Sequence, residues 1–191
     1  MRQGIDHIRI ARVSDAKAIG DIYAPYVRDT VISFEYVPSD EAEMKARIVK
    51  ITSRLPWLVY EEAGAVLGYA YASPHRDRAA YQWSVEVGIY IGSEAQRRGI
   101  GRALYAVLLS ALRLQGCHRA YGGITLPNAA SVGLHEACGF KAIGIYREVG
   151  FKFGKWHDVG WWGLDLGSSL APQSFLPFTS EIFVQAQEGL V

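Results

Sequence analysis

Glu86 stands inside an alternating apolar run, Val85-Glu86-Val87-Gly88-Ile89-Tyr90-Ile91. In an extended strand Val85, Val87, Ile89 and Ile91 take one face and leave Glu86 on the other. Glutamate is depleted in strands, which favours a working carboxylate that takes a proton or binds an ammonium. The plain alternative is a solvated carboxylate on an open sheet face. Just downstream, Gln96-Arg97-Arg98-Gly99-Ile100-Gly101-Arg102 forms a basic, glycine-bearing turn before a helical pattern that begins Ala103-Leu104-Tyr105. Its glycines let backbone approach a ligand, and its free N–H groups, helix start and arginines attract an anion. This is the pattern of a phosphate cradle. His135 lies seven residues after Asn128, on the same helix face, and titrates near neutral pH; an inert, hydrogen-bonded histidine fits the position equally. Arg76 and Arg78 precede the Glu86 strand and can clamp a carboxylate through two hydrogen bonds, or be solvated loop charges.

The cradle alone does not identify its ligand. A dinucleotide fold would place Gly-x-Gly-x-x-Gly after the first strand, and a P-loop would end in Gly-Lys-Ser/Thr; neither pattern is here. The chain of 191 residues is half hydrophobic and one-fifth charged, a globular composition sized for one domain, with a net charge of +1. Near-neutrality argues against nucleic-acid binding through bulk charge, while local arginine clusters suit a small anionic ligand. No apolar run reaches the roughly 20 residues of a membrane span, and the N-terminus lacks the apolar core of a secretory signal. Cys117 and Cys138 have no metal-type spacing. They are read as free thiols in a reducing cytoplasm, and no metal is expected.

These residues need elements to position them. Ile8–Val13 alternates as a first strand, and Ser14 is placed to cap a helix over 15–28 with Ile19, Ile22, Tyr23 and Tyr26 on one face. A second helix starts at Ser39 or Asp40, turns Met44, Ile48 and Ile51 inward and ends at Pro56. Residues 57–61 and 66–72 read as a hairpin, and 73–82 as a polar loop. After the Glu86 strand and the cradle come a helix to about Gln115, a strand over 119–126, a helix over 128–137, and strands over 140–147 and 159–166. Gly88 is placed to bulge the Glu86 strand. The order implies an α/β domain over 1–167. The segment 168–191 is left as an apolar arm or a disordered tail.

Gln96–Gly101 fits the Gln/Arg-x-x-Gly-x-Gly/Ala signature of the GNAT N-acetyltransferase superfamily, and Asn128–His135 with Gly139-Phe140 resembles its second signature. More narrowly, Val31-Ile32-Ser33-Phe34-Glu35, Leu55–Val59, Gly68–Ala72 and Gly154–Gly160 resemble phosphinothricin acetyltransferases, a group that includes enzymes for methionine sulfoximine and methionine sulfone. The resemblance spans about Ile8 to Leu166. It implies a GNAT fold, with a central, mixed but mostly antiparallel sheet of about seven strands and about four helices. It also implies acetyl-CoA-dependent acetylation of the α-amine of a small amino-acid-like substrate by direct attack on the thioester. Glu86 would be the base or the ammonium binder, and His135 the general acid or an inert neighbour. The backbone of Ile89, Tyr90 and Ile91 would meet the pantetheine arm, with residues Arg97–Arg102 at the pyrophosphate and Asn128 at the pantetheine end. Phe34 and Tyr81 would line the acceptor pocket beside Arg76 and Arg78. A homodimer follows by resemblance. Rival readings are an acetyltransferase for a polyamine or a protein N-terminus, and a non-catalytic acetyl-CoA-binding module.

Overall fold

A computed structural model describes residues 4–167, 171–172 and 174–190. Its elements, in chain order, are β1 (Ile8–Ile10), α1 (Ala16–Asp29), α2 (Glu41–Thr52), β2 (Trp57–Glu62), β3 (Ala65–Pro74) and β4 (Ser84–Ile91). Then follow α3 (Ile100–Leu114), β5 (Arg119–Thr125), α4 (Ala129–Ala137), β6 (Lys141–Lys152), β7 (Lys155–Asp165) and α5 (Ser180–Glu188). The seven strands form one sheet ordered β1-β2-β3-β4-β5-β7-β6. Among the described residues only β4 and β5 run parallel, and they pair for just three residues, ending at Glu86 opposite Tyr121.

Each helix follows from its residues. Asp40 caps α2 by accepting from Glu43 N–H at 2.8 Å, as an N-cap aspartate should. Ser14 does not cap α1: residues 13–15 form a 3-10 turn in which Asp15 accepts the Arg12 N–H at 2.7 Å and is held by Arg9. In α3, Leu104, Leu108 and Leu112 recur at helical spacing and are wholly buried with Tyr105. Each such leucine contributes about 1.5–3 kcal/mol by leaving water, which makes α3 the anchor of one sheet face. Helices α1 and α2 cover the other face over Trp57, Val59 and Tyr69.

Glu86 and its strand neighbours emerge from this layering with their faces settled. Val85 and Val87 are buried on the α3 side, and Glu86 points to the opposite face. The β3–β4 register runs unbroken through Tyr71 opposite Gly88, so Gly88 is not a bulge. It is glycine for a close approach: a Cβ there would fall 2.7 Å from Tyr71 Cε1. Strands β6 and β7 extend well beyond the expected 140–147 and 159–166, forming a long hairpin whose turn uses Phe153 and Gly154 at positive φ. Among the described residues there are five α-helices, against the expected about four. In the segment from 168 onward, residues 168–170 lie outside those described, while Phe178, Ile182 and Ala186 are buried and α5 packs on α3. Gln187 donates to Ile5 and Ile8 carbonyls at 3.1 and 3.2 Å, tying that helix back to the N-terminal strand.

Candidate active site

Where β4 leaves β5, the sheet opens. The Gly92 N–H bonds to Leu67 and the His75 N–H to the Ser84 carbonyl, so even-numbered residues of β4 face β3. Val87, Ile89 and Ile91 therefore turn their backbone groups toward the opening, with the Ile91 carbonyl taken by the Tyr26 hydroxyl at 2.6 Å. Tyr90 differs from the expectation: its backbone faces β3 in register with Tyr69, and its partly buried ring stacks there. Of residues 89–91, Ile89, and Ile91 in part, turn backbone groups toward the gap where an extended ligand could pair. The opening is a cleft of about 190 Å³ whose walls include Glu86, Tyr105, Asn128 and His135.

At one end lies the glycine-arginine turn. Arg97 has φ 60° and Gly99, the residue before α3, has φ 82°, which folds the chain into the helix start. The first-turn N–H groups of an α-helix lack carbonyls four residues back, so those of α3 are available to an anion. Gly101 faces Leu134 and Ile89, with a Cβ there 3.1 Å from the Leu134 methyl. Arg97 and Arg102 are exposed beside this turn, whereas Arg98 is held by Glu62 at 2.6 Å. Asn128 caps α4, accepting from the Ser131 N–H at 3.1 Å.

Glu86 is the centre of the polar groups. Its Oε1 accepts from His75 Nδ1 at 2.9 Å and lies 3.4 Å from Arg76 Nη1. The His75 ring packs 4.8 Å from Tyr121 and 5.9 Å from Tyr81, so Tyr81 reaches Glu86 through the histidine rather than directly. Arg78 is exposed, and its carbonyl accepts from the Tyr81 N–H at 2.9 Å. His135 is 3% exposed, with both nitrogens committed. Nδ1–H donates to the Ser131 carbonyl at 2.8 Å, and Nε2 accepts from Tyr105 at 3.0 Å. Burial pushes its pKa down, so the ring is neutral and fixes the Tyr105 hydroxyl; in this arrangement neither nitrogen is free to protonate a leaving group.

Phe34 lies elsewhere than expected. Its ring packs where a Gly150 Cβ would be, 6.2 Å from His157, and Ile32 is the side chain of that loop that lines the cleft. Lys152 explains the difference. This lysine is 2% exposed, and its ammonium donates to the Val27 and Ser33 carbonyls at 2.6 and 2.7 Å. Glu35 adds a second anchor, bound by Arg47 at 2.8 Å and by the Tyr23 hydroxyl at 3.0 Å. Lys152, Tyr105, Ile32 and His75 were not among the site residues read from the sequence; Lys152 and Tyr105 act through partners far away along the chain, which no local pattern marks. A larger groove of about 700 Å³ follows the outer side of α1 past Asp21 and Gln96, away from Glu86, and its Arg9 and Asp15 are paired with each other.

Among the described residues no group of three or more acidic, histidine or cysteine side chains could hold a metal, and no helix is long and apolar enough to cross a membrane. Residues 8–161 match the family model described as an acetyltransferase (GNAT) domain. The chain belongs to the GNAT acetyltransferase family. It is 40% identical over 172 residues to a phosphinothricin N-acetyltransferase of Streptomyces viridochromogenes, covering 90% of this chain and 94% of that one. It is 33% identical to an L-methionine sulfoximine/L-methionine sulfone acetyltransferase of Salmonella typhimurium, covering 87% and 98%. The crystal structure of a GNAT superfamily phosphinothricin acetyltransferase from Sinorhizobium meliloti, in complex with acetyl-CoA, superposes with a TM-score of 0.83 at 37% identity, covering 87% and 92%.

Proposed function

We propose that the protein is an acetyl-CoA-dependent N-acetyltransferase for the α-amino group of a small amino-acid-like substrate, of the phosphinothricin, methionine sulfoximine or methionine sulfone type. The observation that carries this reading is the placement of Glu86 at the point where β4 parts from β5, with the open backbone of Ile89 beyond it and the α3 N-terminus at the far end. Acetyl-CoA supplies a thioester whose acyl carbon an amine can attack, yielding an amide and a free thiol. The first turn of α3 and Arg97 would hold its pyrophosphate, and Ile89 would pair with the pantetheine arm. An α-amine has an ordinary pKa of about 8 and is mostly protonated at pH 7, so it must lose a proton before attack. Glu86 receives that proton, directly or through water. His75 occupies Oε1, so Oε2 would be the oxygen that takes the proton. Arg76, whose Nη1 donates to the His75 carbonyl at 2.8 Å and lies 3.4 Å from Glu86, would be the cation offered to an acceptor carboxylate. The arginines beside the cleft speak against a polyamine acceptor.

The catalytic domain is read as 1–167, with the remainder as a packed arm. A homodimer is proposed through the β6 edge, where Ile143, Ile145, Tyr146 and Phe151 are each roughly half exposed, as is Trp156 on the neighbouring β7. Sedimentation equilibrium returning a monomer at micromolar concentration would refute it. Two unpaired cysteines support a cytoplasmic setting, which cell fractionation tests.

The deciding experiment is free-thiol release from acetyl-CoA with a panel of amines. Phosphinothricin, methionine sulfoximine or methionine sulfone should turn over, and Glu86→Gln should lower kcat about 10²–10⁴-fold while acetyl-CoA still binds. Full activity in that variant would remove Glu86 from the chemistry; activity only on polyamines or peptides would overturn the acceptor class.

A further inference from the structure

A second cavity, of about 230 Å³, lies between α2 and the sheet, directly behind the cleft. Its walls are apolar and aromatic, formed by Met44, Ile51, Trp57 and Tyr69, with Arg47 and Lys50 on its lining as well. Two residues, Tyr71 and Ser73, line both this cavity and the Glu86 cleft. They lie opposite Gly88 and Glu86 in the β3–β4 register, so the partition stands beside the candidate base.

The Tyr71 ring is the larger part of that partition, and it is held on both sides. It stacks on Trp57 with centroids 4.7 Å apart and planes inclined by 22°. On its other side it lies so close to Gly88 that a Cβ would come within 2.7 Å of Cε1 and 2.8 Å of Cζ. A ring locked in this way cannot swing aside cheaply, because interiors this close-packed shift only at the cost of strain elsewhere. The 190 Å³ cleft must hold the thioester end as well as the acceptor, so little room is left for an acceptor side chain.

We propose that Tyr71 sets the size limit of the acceptor, confining the enzyme to amines with short side chains and closing off an apolar cavity that would otherwise accept an aromatic one. This rests on the acetyltransferase reading above and deepens it. Removing the ring joins the two spaces and more than doubles the volume beside Glu86. Trp57 and Tyr69 then offer flat apolar faces to a phenyl group.

The test measures kcat/KM by free-thiol release at saturating acetyl-CoA, for L-methionine sulfone and for L-phenylalanine. The wild type should prefer the sulfone by about tenfold or more, the scale on which a filled pocket rejects excess volume. Tyr71→Ala should shift the ratio toward phenylalanine by about tenfold or more, while Tyr71→Phe, which keeps the ring, should leave it unchanged. Should the alanine protein fail to fold, Tyr71→Leu shortens the partition while still packing on Trp57 and is read by the same ratio. A ratio that stays at the wild-type value in a folded, acetyl-CoA-binding Tyr71→Ala or Tyr71→Leu protein overturns the proposal, as does a wild type that uses both acceptors equally. In both cases the acetyltransferase reading stands. A wild type that releases no thiol with either acceptor overturns the size limit together with the proposed acceptor class.

Discussion

Lys152→Met isolates the device that holds the acceptor side of the cleft. Methionine matches the lysine stem in length, so packing is nearly kept while the ammonium is lost. That ammonium makes two hydrogen bonds, to Val27 and Ser33 carbonyls at 2.6 and 2.7 Å, in a side chain that is 2% exposed. Hydrogen bonds to a charged group contribute about 1.5–3 kcal/mol each, and a buried carbonyl left without a donor costs about 1–3 kcal/mol. Against this stands the cost of burying the charge, visible in the downward push on the Lys152 pKa, which relieves several kcal/mol when the charge is removed. The balance is a loss of about 3 kcal/mol, which for a chain of this length lowers Tm by about 6–12 °C. Because Ser33 sits between Ile32 and Phe34, the loop should also loosen over the cleft, raising KM for the acceptor more than KM for acetyl-CoA. Thermal unfolding followed by circular dichroism, beside acceptor-dependent thiol release, checks both effects; Lys155→Met, on the exposed hairpin tip, is the control. A Tm within about 2 °C of wild type, corresponding to less than about 1 kcal/mol, would refute the view that Lys152 holds the loop.

Two further substitutions separate stability from binding. Burial lowers the His135 pKa below the ordinary 6.5, so the unfolded chain takes up a proton at pH values where the folded ring stays neutral. The resulting stability is full above pH 6.5 and falls as pH drops toward the lowered folded value; urea unfolding across that window should show the slope in wild type and lose it in His135→Asn. Gly101→Ala removes a helical glycine, worth about 1 kcal/mol in propensity, and sets a methyl 3.1 Å from the mobile end of Leu134. Its Tm should hold or rise while KM for acetyl-CoA increases, and an unchanged KM would mean that the α3 turn does not approach the cofactor closely.

The reach of sequence reading here follows the range of the interactions. The glycine turn into α3 and the face taken by Glu86 were legible because they depend on neighbours: glycine spacing, a two-residue alternation and a helix start. Asp40 as the cap of α2 was legible for the same reason. Ser14 misled because Asp15, one residue on, accepts the Arg12 N–H and pairs with Arg9 across the turn. The β6–β7 hairpin was underestimated because its middle is rich in glycine and charge, and β6 is an exposed edge strand with little apolar alternation to detect. Phe34 was misplaced for a stronger reason. What directs its ring is a lysine 118 positions later, and nothing in the Val31–Tyr36 stretch records that Lys152 will donate to the Ser33 carbonyl.

His75 and Gly88 carry the same lesson into the chemistry. Along the chain one is a histidine in a polar loop and the other a glycine read as a strand bulge. Across the β3–β4 ladder they become partners of Glu86 and Tyr71, the two residues given the base and the size limit. The ladder fixes both relations in one register: shifting it by one residue would turn Tyr71 to the opposite face from Gly88 and separate Ser73 from Glu86. On the proposed reading, reactivity and acceptor size would be set on a single pair of strands, and the cofactor cradle by α3. Substitutions in Tyr71 should accordingly change which amine is acetylated without changing how acetyl-CoA is held, and those in Gly101 should do the reverse.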